Sequence, residues 1–141
     1  MRYSIALIFT LLVVLCIDFT GCHNPSRDQV DTVAFSIARI VDQFGIEDPY
    51  FRRKVRIKTE LLYRATALKR KWLNRRKPSA LYDAFVKEIR SCTDYGMNPE
   101  DYHISEIEHA VDTLYKHRPE TADLASLEIR ITAAFFLYTT H

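Results

Sequence analysis

Three cysteines and five histidines are the side chains here with the most reactive chemistry to offer. Cys92 closes the stretch "LYDAFVKEIRSC", in which Leu81, Phe85, Ile89 and Cys92 fall on one helical face. A thiol on an apolar face, with no histidine beside it in sequence, is expected to be buried and inert rather than nucleophilic. "EIEH" sets Glu106 and His109 at the i, i+3 spacing of di-metal carboxylate bundles, but such a site takes two copies and two further carboxylates on one core. One copy is present, so the pair is read as a solvated helix face. His23, His103, His117 and His141 show neither HxxxH nor HExxH spacing and are read as surface or turn residues. With three glycines in all, the chain has no phosphate-cradling loop and no GxSxG elbow. No catalytic residue, metal site or cofactor is expected.

Cys22 sits in a different setting. The chain opens "MRYSIALIFTLLVVLCIDFTGC", with a cation at Arg2, an apolar run from Ile5 to Ile17 and small residues before Cys22. That is the three-part layout of a secretory signal. The run of about 13 residues falls short of the ~20 a helix needs to cross a bilayer, so a permanent span is the weaker reading. Thr20 and Gly21 directly before Cys22 resemble the lipobox of bacterial lipoproteins, with Phe19 where that motif carries an aliphatic residue. The resemblance implies cleavage before Cys22 and acylation of its thiol and freed amine. Two or three acyl chains, at ~0.8 kcal/mol per buried CH₂, would hold the protein on a membrane. Ordinary secretion with cleavage near Gly21, or an uncleaved anchor, are the alternatives. About 120 residues follow, enough for one modest domain. Cys92 alone then remains, so no internal disulfide is expected.

The elements that must carry these residues read as helices. "SRDQ" offers a capping box with Ser26 as N-cap, and Val30, Val33, Ala34, Ile37, Val41 and Phe44 recur at helical spacing up to Gly45. Asp48 and Pro49 suit an N-cap and first helical position. The following segment is ambiguous, since Val55, Ile57, Thr59 and Leu61 alternate like a strand while Leu61, Ala65, Leu68 and Trp72 fit a helix; a helix from about Phe51 to Trp72 is favoured. "RRKPS" marks a turn, and the Phe85 helix ends at "YGMNP" with Gly96 as a left-handed cap and Met97 folding back on the last turn. Ser105 and Glu108 suggest a second capping box, before a helix with Ile107, Val111 and Leu114 inward. A last helix runs from about Ala122 to the end, with Leu124, Leu127, Ile131, Ala134, Phe135 and Tyr138 on its inner face. The sum is an all-α bundle of four to five helices after a cleaved signal peptide: 1–21 signal, 22–29 lipidated tether, 30–141 helical domain.

Charge is polarised along this chain. Twelve of the 20 Lys and Arg residues lie between Arg52 and Lys77, whereas Asp94 to Glu128 is mainly acidic, and the net +2 conceals the contrast. "RRKVRIK" and "KRKWLNRRK" would suggest nucleic acid in a cytosolic protein, but an exported, tethered chain does not normally meet it. A solvated face with snorkelling stems is the first reading, attraction to anionic phospholipid or lipopolysaccharide the second. Trp72 is read as a core anchor.

Three stretches, "LLYRATALKRKWL", "KPSALYDAFVKEI" leading to "YGMNPEDYH", and "LASLEIRITAAFFLYTTH", resemble in order the non-catalytic scaffold region of large Gram-negative L,D-transpeptidases. Tyr63, Trp72, Gly96, Pro99, Tyr102, His103, Leu127, Thr132 and Phe136 occupy the motif positions, with Glu128 for the usual aspartate and Met97 for the usual leucine. The resemblance covers about Arg56 to His141 and implies a cell-envelope location linked to peptidoglycan cross-linking. The family continues through a peptidoglycan-binding module and a domain with a Ser-His-Gly-Cys cysteine, which have no counterpart in this sequence, so no catalytic residue carries over. The expectation is a non-enzymatic lipoprotein of the inner or outer membrane facing the periplasm, truncated after its scaffold region. The alternative is a complete adaptor that docks through an exposed last helix at Phe135, Phe136 and Tyr138. Its partners would be the membrane, through acyl chains on Cys22, and peptidoglycan-synthesis proteins or a separately encoded catalytic half.

Overall fold

The computed structural model describes residues 37–43, 46–117 and 119–140. Cys22, the signal, the Ser26 capping box and Gly45 lie outside the described residues. Residues 37–42 are helical (α1), and Ile37 and Val41 are buried there. α2 spans Pro49–Ala65, α3 Ala80–Arg90, α4 Ile104–Lys116 and α5 Thr121–Tyr138. Two 3₁₀ turns, Cys92–Tyr95 and Pro99–Tyr102, join α3 to α4. Among the described residues there is no strand beyond a single bridge between Leu73 and Pro78. The protein is an all-α bundle.

Local chemistry sets most boundaries. The Asp48 carboxylate accepts the Tyr50 N–H at 2.7 Å and Pro49 opens α2 where a missing N–H costs nothing. Ser79 caps α3, its hydroxyl accepting from the Tyr82 N–H at 3.2 Å. Gly96, at φ 76, ends the Cys92–Tyr95 turn. The Met97 N–H reaches the Cys92 carbonyl and the Gly96 N–H reaches that of Thr93, which is the Schellman arrangement. The expected Ser105 capping box does not form. His103, at φ 55, is the α4 N-cap, and the Ser105 hydroxyl instead donates to Glu100 at 2.6 Å.

α2 differs from expectation in length and in face. It stops at Ala65, seven residues short of Trp72, because Ala67 and Leu68 adopt left-handed φ of 50° and 60° and turn the chain back across the bundle. Its inner face is Val55, Thr59 and Tyr63, while Leu61 is 60% exposed and Ile57 43%. Trp72 is nevertheless fully buried, so its role as a core anchor holds although its placement on that helix does not.

α5 lies at the centre, packed against α2, α4 and the Pro99–Tyr102 turn. Trp72, Phe85 and Phe135 form a triangle of rings with centroids 5.3, 5.5 and 5.6 Å apart. Tyr138 meets Tyr102 edge to face at 5.2 Å. Phe135 and Tyr138 are therefore buried, as their inner-face spacing predicts, and Phe136 is half-buried, which corrects the alternative in which the last helix exposes all three for docking. A helix apolar on nearly all sides is a central helix, and here the bundle encloses it. Full burial of a side chain such as Phe135 contributes about 2–3 kcal/mol.

Candidate functional site

The signature residues meet at one buried polar clasp. Glu128 and Thr132 lie one turn apart on α5, so both face the segment that crosses from α2 toward α3. The Glu128 carboxylate accepts the backbone N–H of Lys71, of Trp72 at 2.9 Å and of Leu73 at 2.9 Å. The Thr132 hydroxyl donates to the Glu128 carbonyl at 2.9 Å and accepts the Trp72 indole N–H at 2.7 Å. The Tyr63 hydroxyl, from α2, sits 2.8 Å from Thr132 Oγ1 and 3.1 Å from the Glu128 carbonyl. Ser79 closes the far side: its hydroxyl donates to the Lys71 carbonyl and its N–H to that of Trp72, both at 2.8 Å.

Electrostatics agree with a latch rather than a reactive group. Glu128 is 2% exposed. Burial pushes its carboxyl above the usual carboxylate range, while the three amide donors and Arg70 pull it back, and burial is the larger effect. Tyr63 is held well above the ordinary phenol range, first by burial and then by the Glu128 charge, so it stays a neutral donor. Among the described residues every buried side-chain nitrogen or oxygen has a partner. The Glu128 carboxylate is spent on three amides and the Thr132 hydroxyl on the Trp72 indole, Tyr63 and the Glu128 carbonyl.

The second signature station is the Pro99–Tyr102 turn. Asn98 caps it by accepting the Glu100 N–H at 3.2 Å, and the Tyr102 hydroxyl donates to the Met97 sulfur at 3.4 Å. Tyr102 and His103 thus tie the loop to neighbouring side chains, His103 Nδ1 lying 3.5 Å from Glu106. The Tyr138 hydroxyl, on α5 beside Tyr102, donates to Glu88 at 3.2 Å. Cys92 is buried here, its sulfur 3.6 Å from the Met97 carbonyl and its thiol pushed up by burial, as its apolar face predicts.

Elsewhere the charged side chains form surface pairs. Glu106 pairs with Arg130 and not with His109, and Arg130 holds its carboxyl below the usual range. His109 and His117 are exposed and line an open groove of about 460 Å³ between α4 and α5. Among the described residues no group of three His, Cys, Asp or Glu is placed to hold a metal ion. Arg90 pairs with Glu108 and lies 3.5 Å from Glu100.

Sequence reasoning missed Glu128 as the pivot of the clasp. The available signal was a lone acid inside "LASLEIRITAAF", where an unpaired charge would be costly. It also missed the outward stripe of Tyr50, Ile57 and Leu61. A family model described as Scaffold domain matches residues 58–141 and so takes in Tyr63, Trp72, Glu128 and Thr132. No curated protein and no solved structure gives a match.

Proposed function

Because the chain belongs to the Scaffold-domain family, a non-catalytic part of L,D-transpeptidases, we propose that it is a non-enzymatic, lipid-anchored envelope protein that serves peptidoglycan cross-linking by presenting a rigid helical module. The observation that carries this reading is the clasp. The signature side chains Tyr63, Trp72 and Thr132 expend their polar atoms on one another and on backbone, as does Glu128, so they fix a shape instead of meeting a substrate. Cys92, the thiol of the domain, is buried against the Met97 carbonyl, and burial with the nearby Asp101 charge keeps it protonated.

Acylation of Cys22 supplies the anchor and the signal peptide supplies export to the periplasmic side. Among the described residues no helix is long and apolar enough to cross a membrane. The last helix, α5, is enclosed by the bundle, so packing within this chain accounts for its apolar surface. Burial of Phe135 and Tyr138 likewise removes two of the three contacts of an adaptor docking through that helix.

Two measurements test the proposal. Palmitate label is expected on the wild-type chain and lost in Cys22→Ala; label retained by the variant refutes the anchor. The purified full chain with tetrapeptide-bearing peptidoglycan fragments is expected to form no stem-to-stem cross-link by mass spectrometry until a catalytic polypeptide of the family is added. Cross-links made by the chain alone refute a non-enzymatic role.

A further inference from the structure

α2 carries its least expected feature on the outside. Tyr50, Ile57 and Leu61, seven and four residues apart, share one helical face and are 66, 43 and 60% exposed. Arg53 and Arg64 flank that stripe on one side and Lys54 on the other, with the Lys54 ammonium 5.5 Å from the Tyr50 ring. From Pro49 to Ser79 the chain holds a single acid, Glu60, which lies 3.8 Å from Arg56. The stripe lies on the outward face of α2, opposite the buried Val55, Thr59 and Tyr63. An apolar stripe between rows of cations is the geometry that sinks into the headgroup layer of a bilayer, with the cations reaching lipid phosphates.

We propose that the outer face of α2 is a docking surface for an anionic phospholipid bilayer, with Tyr50, Ile57 and Leu61 entering the interface and Arg53, Lys54 and Arg64 contacting phosphate. The acidic residues Asp94, Glu100, Asp101, Glu106 and Glu108 lie in the other half of the chain, where Glu100 and Glu108 meet Arg90 and Glu106 meets Arg130. An acidic protein surface would satisfy the cations but gives no reason for exposed aromatic and aliphatic side chains between them. The surface is independent of Cys22 acylation, which tethers the chain without fixing which face meets the lipid.

The full chain carrying Cys16→Ala, Cys22→Ala and Leu61→Cys, labelled with a nitroxide and reconstituted in phosphatidylcholine vesicles with and without phosphatidylglycerol, tests this. Cys92 is buried and escapes labelling. A second chain labelled through Tyr95→Cys, at an exposed site in the acidic half, is the control. The expected result is a several-fold loss of access to a water-soluble nickel chelate at residue 61 in the anionic vesicles, none at residue 95, and recovery of access in Arg53→Gln/Arg64→Gln with an unchanged melting temperature. Equal access in the two lipids overturns the proposal. So does protection of residue 61 by peptidoglycan or lipopolysaccharide but not by phosphatidylglycerol.

Discussion

Glu128 and Arg90 both tie distant segments together through charge-assisted hydrogen bonds, and their surroundings separate them. Glu128 is buried and its partners are backbone amides of a segment more than 50 residues earlier. Arg90 has a side chain 46% exposed and shares Glu108, Glu100 and Ser105 with water. In the interior a lost partner leaves amides with nothing to bond, whereas at the surface water replaces it. The comparison teaches that the clasp holds the fold while the surface pairs adjust it.

The largest expected effect is Glu128→Ala, which strands the buried amides of Trp72 and Leu73 and the half-buried one of Lys71 and leaves a cavity. It is expected to lose about 3–5 kcal/mol in denaturant unfolding; a loss below about 1 kcal/mol would erase the distinction drawn between the two regions. Thr132→Val keeps the shape but removes the acceptor of the Trp72 indole, with an expected loss of about 1–3 kcal/mol. Because the chain has one tryptophan, its fluorescence reports that change directly.

Proton linkage sharpens the contrast. The folded state holds the Glu128 proton to higher pH than the unfolded chain does, so this group's contribution is complete below the ordinary carboxylate range and declines as pH rises through the raised one. Glu106, depressed by Arg130, runs the opposite way: its contribution is present above the ordinary range and fades as pH falls. Unfolding free energies of Glu128→Gln and wild type measured against pH should therefore differ in slope across the weakly acidic range, and parallel curves would contradict the linkage.

Gly96→Ala tests a site with open space around a would-be Cβ but a φ of 76°, so its expected cost of about 1 kcal/mol is conformational. Arg90→Ala is the smallest effect, below about 1 kcal/mol and shrinking further in high salt. A larger, salt-resistant loss would place the Arg90 cluster with the clasp rather than apart from it.

The legible parts of the fold were those written in short-range chemistry. Asp48 with Pro49, and Gly96 with Met97, mark their boundaries within a few residues, because a cap needs only its own turn. The Phe85 and Val111 faces follow from spacing alone. α2 was misread because its outward face carries Ile57 and Leu61, so the periodicity of apolar residues pointed to the wrong side. Ser105 and Glu108 match a capping box in spacing, yet Glu100 and Arg90 claim them first.

The amino-acid sequence by itself determined the helical class, the caps at Asp48 and Gly96, the buried thiol of Cys92 and the family to which the chain belongs, since each depends on residues close together or on their order. Only the tertiary structure decided where α2 stops, that the last helix is central and covered, and that Glu128 grips the amides of Lys71, Trp72 and Leu73. Those outcomes hinge on partners more than 50 residues away, and the cost of leaving a buried polar group unpaired overrides the local preference for helix.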